Sequence, residues 1–183
     1  MYRSRLVGKE LNNEQMDGLF AGTPPLEALR FLIHEAATVR TGEPMGSNVF
    51  MINDVARAFF EAAAKRAVCV EIPEEDKTAA DRHKDVVGRL NMSLYGTRDA
   101  AQNWEEEYVK FMEYVWFRRG MVSPCVSFHP SRELRAVIHG DDFTLLGYAK
   151  DLDWLRTQIA SRQSVNFRGR LGPMRGATIT SGY

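Results

Sequence analysis

The stretch Ala136-Val137-Ile138-His139-Gly140-Asp141-Asp142-Phe143-Thr144-Leu145-Leu146-Gly147 sets two adjacent carboxylates between apolar runs. Leu134 to His139 and Phe143 to Leu146 read as strands, so Gly140-Asp141-Asp142 falls at or next to the tip of a β-hairpin. Adjacent like charges repel, and such a pair needs either open solvent or a cation that both side chains share. Gly-Asp is also ordinary turn chemistry, because Asp hydrogen-bonds its own backbone there. Taken alone, the tripeptide requires no ligand.

A third carboxylate changes the balance. Val49-Phe50-Met51-Ile52 follows Gly46-Ser47-Asn48 and has the length of a buried strand, which ends at Asp54. If that strand lies beside the hairpin in one antiparallel sheet, Asp54, Asp141 and Asp142 converge on one edge. Three hard oxygen ligands suit Mg2+, which keeps waters and shares them with phosphates. Two such ions about 4 Å apart would clamp the attacking and leaving oxygens of a phosphoryl transfer.

Other segments complete an α+β pattern. Ala28, Leu29, Leu32, Ile33 and Ala36 recur at helical spacing after Thr23-Pro24-Pro25 and predict a helix over 27–39. Helix-favouring residues run from Ala56 to Lys65, Val68 to Ile72 alternates as a strand stopped by Pro73, and 74–85 reads as a polar loop. A helix starts after Gly96 with Asp99 as its cap, and Trp104, Tyr108, Phe111, Met112 and Val115 form its apolar stripe. Cys125 to Phe128 is a strand, His129-Pro130-Ser131-Arg132 a turn, and 151–161 a helix.

With 183 residues, 44% hydrophobic and 26% charged, the chain is expected to form a single domain with a real core. No apolar run nears the roughly 20 residues of a membrane span, and Met1 to Arg5 lacks a signal-peptide hydrophobic stretch; an intracellular protein is expected, in a cytoplasmic particle or the nucleus. Cys69 and Cys125 make neither a zinc pair nor a disulfide framework and are read as reduced, part-buried thiols. His34, His83 and His129 lack metal-ligand spacing and are read as surface residues, His34 half-buried. The zero net charge excludes a uniformly basic nucleic-acid binder, but no acidic residue follows Asp153, while Arg156, Arg162, Arg168, Arg170 and Arg175 do. That end suits either phosphate contact or plain solvation.

Asp54-Val55-Ala56-Arg57-Ala58-Phe59-Phe60, Val70-Glu71-Ile72-Pro73, Leu94-Tyr95-Gly96 with Trp104 eight positions on, and Asp141-Asp142 together resemble the reverse transcriptase of copia-type retrotransposons in order and interval. Tyr2-Arg3-Ser4-Arg5-Leu6-Val7 resembles that family's opening, and Leu29-Arg30-Phe31-Leu32 its first palm-side helix; the likeness covers most of 2–172. The resemblance implies a polymerase palm-like antiparallel sheet packed on helices, with partial fingers and no complete thumb. Residues 1–45 would hold partial fingers and the first helix, 46–172 the palm, and 173–183 a truncated tail. It further implies that Asp54, Asp141 and Asp142 are catalytic ligands of two Mg2+ ions, or of Mn2+ in their place. Phe59, Arg98 and Arg5 would contact the nucleotide, with Phe59 as the aromatic gate that excludes a 2′-hydroxyl. The implied partners are an RNA or DNA template with its primer, deoxynucleoside triphosphates and the remainder of a retroelement polyprotein, with no membrane.

Gly-Asp-Asp is also the spelling of viral RNA-dependent RNA polymerases, but those tend to carry a second Asp five positions after the first, where this chain has Phe59. His139 and Gly140 stand where the resembled family has Tyr and Val, Asp99 where it has Gln, and Ala101 where it has Pro. Its late lysine is absent, and Arg168 or Arg170 occupies that region. Two other readings therefore stand beside the polymerase: an inactive, decayed or repurposed palm that folds and binds nucleic acid, and an unrelated metal-dependent phosphohydrolase on the same carboxylates.

Overall fold

A computed structural model describes residues 7–11, 19–38, 48–82, 84–162 and 165–171. Residues 2–6 of the opening motif, Arg5 among them, His83 and 173–183 lie outside these residues. The chain divides into two compact units: Met1–Ala21 with Ala58–Glu107, and Gly22–Arg57 with Tyr108–Tyr183.

The larger unit is built on a six-stranded antiparallel sheet. Its helix α1 (Leu26–Ala37) precedes β1 (Asn48–Val55), and β4 (Arg118–Arg119), β5 (Val126–His129), β6 (Leu134–His139), β7 (Asp142–Tyr148), α3 (Ala149–Ala160) and β8 (Val165–Leu171) follow in the second segment. The strand order is β4-β5-β6-β7-β1-β8. Strand alternation gives the sheet two unlike faces. Met51, Val55, Leu134, Ala136, Ile138, Phe143 and Leu145 share one face and are almost wholly buried. Helix α3 packs on this side, and Tyr108 meets Phe143 edge-to-face at 5.9 Å. On the other face α1 covers only one end, where Leu32 packs with Phe50, Val137 and Leu146. The opposite end of that face, with Ile52, Asp54, His139, Asp142 and Thr144, ranges from half-buried to exposed.

The smaller unit contains the hairpin partners β2 (Cys69–Glu71) and β3 (Val87–Arg89). Here the expected helix over 56–65 is corrected to one 3-10 turn, Ala58–Glu61. The preceding Arg57 is left-handed, with φ 56°. Downstream, Ala63 bridges Met92, while Ala64 N–H donates to Asn91 and Ser93 N–H to Ala62. Backbone committed to those partners leaves the i→i−4 ladder, although the composition favours helix. Gly96, with φ 90°, approaches Gly8 so closely that an added Cβ would lie 1.9 Å from its carbonyl oxygen. Gly8 N–H donates to Tyr95 O at 2.6 Å, so glycine at 96 is a steric requirement.

Helix α2 (Ala100–Tyr114) begins in the smaller unit and continues into the larger; Trp104, Tyr108, Phe111, Met112 and Val115 just beyond it are buried, as its stripe predicts. His129 is buried rather than a surface residue: its ring sits edge-on to Phe117 and Trp154, and desolvation, reinforced by Arg132, holds its pKa below the usual value. Cys125 is fully buried and Cys69 exposed, both free thiols. Among the described residues, no helix is long and apolar enough to cross a membrane.

Candidate functional site

The sheet brings the two sequence-distant acids together by register. Strands β1 and β7 pair so that Asp54 lies directly opposite Asp142, and Val55 N–H donates to Asp141 O at 2.9 Å. Directly opposed antiparallel residues point to the same face, with Cα atoms about 4.5–5.5 Å apart. Both acids lie at the end of that face which α1 does not cover. The Gly140-Asp141 loop between β6 and β7 takes two residues, since His139 pairs with Asp142. Gly140 has φ 60° and Asp141 a negative φ, the pattern of a type II′ turn, which wants glycine first. The resembled family's Val at this position would be strained. Gly140 is therefore suited to the turn.

Burial, then the charges of Asp141 and Asp54, raise the pKa of Asp142, against the opposing pull of Arg168 and His139. Three carboxylates thus share one field, and a cation there would relieve their repulsion. Among the described residues, however, no three His, Cys, Asp or Glu side chains are placed to close round one ion. Asp54 is already held: Arg168 Nη2 donates to its Oδ2 at 2.8 Å and Asn166 Nδ2 at 3.2 Å. Sequence reading did not find this contact. Its origin is a β-bulge, where Ile52 pairs with Gly169 but Asn53 with Phe167, so that Arg168 is the extra residue. Bulges re-aim side chains in this way. The hard-oxygen donors suit Mg2+ by chemistry, with the Arg168 guanidinium standing as the cation at Asp54.

In the smaller unit, Phe59 lies in the 3-10 turn with its ring 4.4 Å from that of Tyr95. Arg98 N–H donates to Glu10 Oε2 at 2.8 Å. Asp99 does start α2, since its carbonyl accepts the Asn103 N–H, but its carboxylate is engaged by Arg66 at 2.8 Å and by Asn103 Nδ2 at 3.1 Å. Arg66 also forks onto both Glu10 oxygens at 2.9 Å. The hydrogen bonds from Arg66 hold both acids below their ordinary pKa, and the acids raise that of Arg66. The Asp99 carboxylate is thus neutralised by an internal cation.

No family model matches the chain, and no solved structure is similar to it. Over 157 residues, 82% of the chain, it is 27% identical to the retrovirus-related Pol polyprotein from transposon TNT 1-94 of Nicotiana tabacum. It covers 11% of that protein, so the chain spans about a tenth of its relative's length and is similar to one part of a retrotransposon polyprotein.

Proposed function

We propose that this chain is the palm region of a copia-type reverse transcriptase, which joins deoxynucleotides to a primer 3′-hydroxyl on an RNA or DNA template. The observation that carries the reading is the register of Asp54 against Asp142, with Asp141 in the adjoining turn, on the part of the sheet face left uncovered by α1. Similarity to a transposon Pol polyprotein supports it. Asp54, Asp141 and Asp142 would hold Mg2+, which when bound stabilises charge on the phosphate and on the attacking hydroxyl. The protein's own contribution is positional: the β1–β7 ladder fixes two carboxylates, and the type II′ turn fixes the third. Phe59, backed by Tyr95, is assigned as the nucleotide gate, and Arg98 as a phosphate contact.

An inactive palm is favoured by one observation, the Arg168 and Asn166 hydrogen bonds to Asp54. Primer extension with Mg2+ or Mn2+, run beside Asp141→Asn, decides between the two. The polymerase reading expects extension by the unmodified chain and background levels from the variant. No extension by the unmodified chain with either ion sinks it and leaves the inactive palm; nucleotide hydrolysis without primer would instead support the phosphohydrolase.

A further inference from the structure

The C-terminus of α2 carries a feature that the carboxylate site does not use. Phe117 N–H donates to Met112 O and Trp116 N–H to Glu113 O, both at 2.9 Å, which is the hydrogen-bond pattern of a Schellman cap. Trp116 is the residue that must turn left-handed, and its φ is 69°. Glycine is the usual occupant of that position because any Cβ is penalised there. Burial does not compensate the strain, since Trp116 is 78% exposed. Tyr114, two residues earlier, is 68% exposed, and the Arg162 guanidinium lies over its ring at 4.6 Å. Arg118 and Arg119 follow at once in β4 and are exposed; the register puts Arg118 on the α1 face of the sheet and Arg119 on the face that α2 packs against, with Arg119 Nε anchored on Pro124 O at 3.0 Å. Lys110 is a further exposed cation, and Glu113 is the single acid between 108 and 122.

We infer that this surface binds single-stranded nucleic acid, with Trp116 and Tyr114 stacking on bases and Arg119 and Arg162 pairing with phosphates. Exposed flat rings among guanidinium groups are complementary to a polyanion whose bases are unpaired. A duplex hides those base faces. Because β4 is the edge strand opposite β8, with β5 and β6 between it and β7, the surface is separate from the carboxylates. The inference does not depend on polymerase activity, and a chain that failed to extend a primer would still be expected to bind here.

The test titrates the whole chain at low salt with a fluorescein-labelled oligothymidylate of about 20 nucleotides, enough to span a typical single-strand site, and with a matched duplex. Anisotropy reports binding, and tryptophan quenching reports chiefly Trp116, since Trp104 is buried and Trp154 is half-buried beneath the Arg132 guanidinium. Trp116→Gly should weaken single-strand binding by about tenfold or more, as expected for losing one stacked base. It should also abolish most of the quenching. The same variant should melt no lower than the unmodified chain, because glycine suits the cap; a loss of binding therefore does not reflect unfolding. Arg119→Ala with Arg162→Ala should weaken binding and reduce its salt dependence. The inference is overturned if the unmodified chain does not bind, or if Trp116→Gly binds as tightly. It is equally overturned if that variant turns a dimer into a monomer without changing oligonucleotide affinity, which would make the patch a contact between copies.

Discussion

Two arginine–aspartate pairs at the same 2.8 Å distance show how differently the two units use one piece of chemistry. In the smaller unit Arg66 is 30% exposed and Asp99 9%, and Glu10 and Asn103 complete the cluster. In the sheet unit the Arg168 side chain is 60% exposed and lies along a surface already supported by an apolar face. Where apolar burial is plentiful, the ion pair is free to be replaced. Where the large buried apolar side chains reduce to Trp104 and Leu94 among small ones such as Ala58, Ala62 and Ala100, and the β2–β3 ribbon has two short strands, the ion cluster is part of what holds the fold.

The sharpest way to break this comparison is to attack the sheet's apolar face. Phe143 is fully buried and meets Tyr108 edge-to-face. Phe143→Ala should cost about 3–5 kcal/mol through lost transfer energy and the cavity left behind. Denaturant unfolding measures it. A cost below about 1 kcal/mol, the range of a surface substitution, would show that the sheet does not rest on this face.

Arg66→Ala is the matching test in the smaller unit. Removing the cation leaves Glu10 and Asp99 facing each other without it, at a cost of roughly 2–3 kcal/mol, below the full penalty for a buried pair because Arg66 is partly solvated. Both acids are held below their ordinary values of 4.5 and 3.8. Their contribution is therefore present above those values and is lost as pH falls through the lower folded-state values. The gap between unmodified chain and variant should be constant above about pH 5 and shrink in acid. Amide exchange should quicken at Gly8, Thr97 and Arg98 and stay unchanged in β6 and β7. Equal quickening in both places would break the comparison.

This contrast also explains what the amino-acid sequence reveals. Strands β1, β6 and β7, and the buried stripe of α2, are readable because burial imposes a period on contiguous residues. Asp54 near the end of β1 and Asp142 at the start of β7 share an edge once those strands pair, but the pairing itself comes from the structure. The Arg66 cluster is not readable: its members at positions 10, 66 and 99 share no local pattern. Strand β8 is hidden for a different reason. Asn166, Arg168 and Arg170 look like a solvated basic end, and the bulge at Arg168 breaks the alternation that would have announced a strand. The 3-10 turn at Ala58–Glu61 was obscured by composition, because alanine-rich residues favour a helix that the Ala62–Ala64 backbone contacts forbid.

The smallest effect on stability, and the most informative about the carboxylates, is expected from Arg168→Ala. Its ion pair is solvated, so unfolding should change by no more than about 1 kcal/mol, in contrast to Arg66→Ala. The consequence should appear instead in cation binding. Asp54 Oδ2 accepts from Arg168 and Asn166, and an added divalent ion must compete with the guanidinium for that oxygen. Removing a competitor of that strength should tighten Mn2+ binding by about fivefold, the equivalent of about 1 kcal/mol. Water-proton relaxation in a Mn2+ titration measures this without a primer or a nucleotide, and Asp54→Asn in the same background should remove the gain. Unchanged Mn2+ affinity would mean that Arg168 does not compete for the site. Weaker binding would mean that the bulged arginine positions Asp54 for the ion, and the two arginines would then differ in what they hold in place as well as in burial.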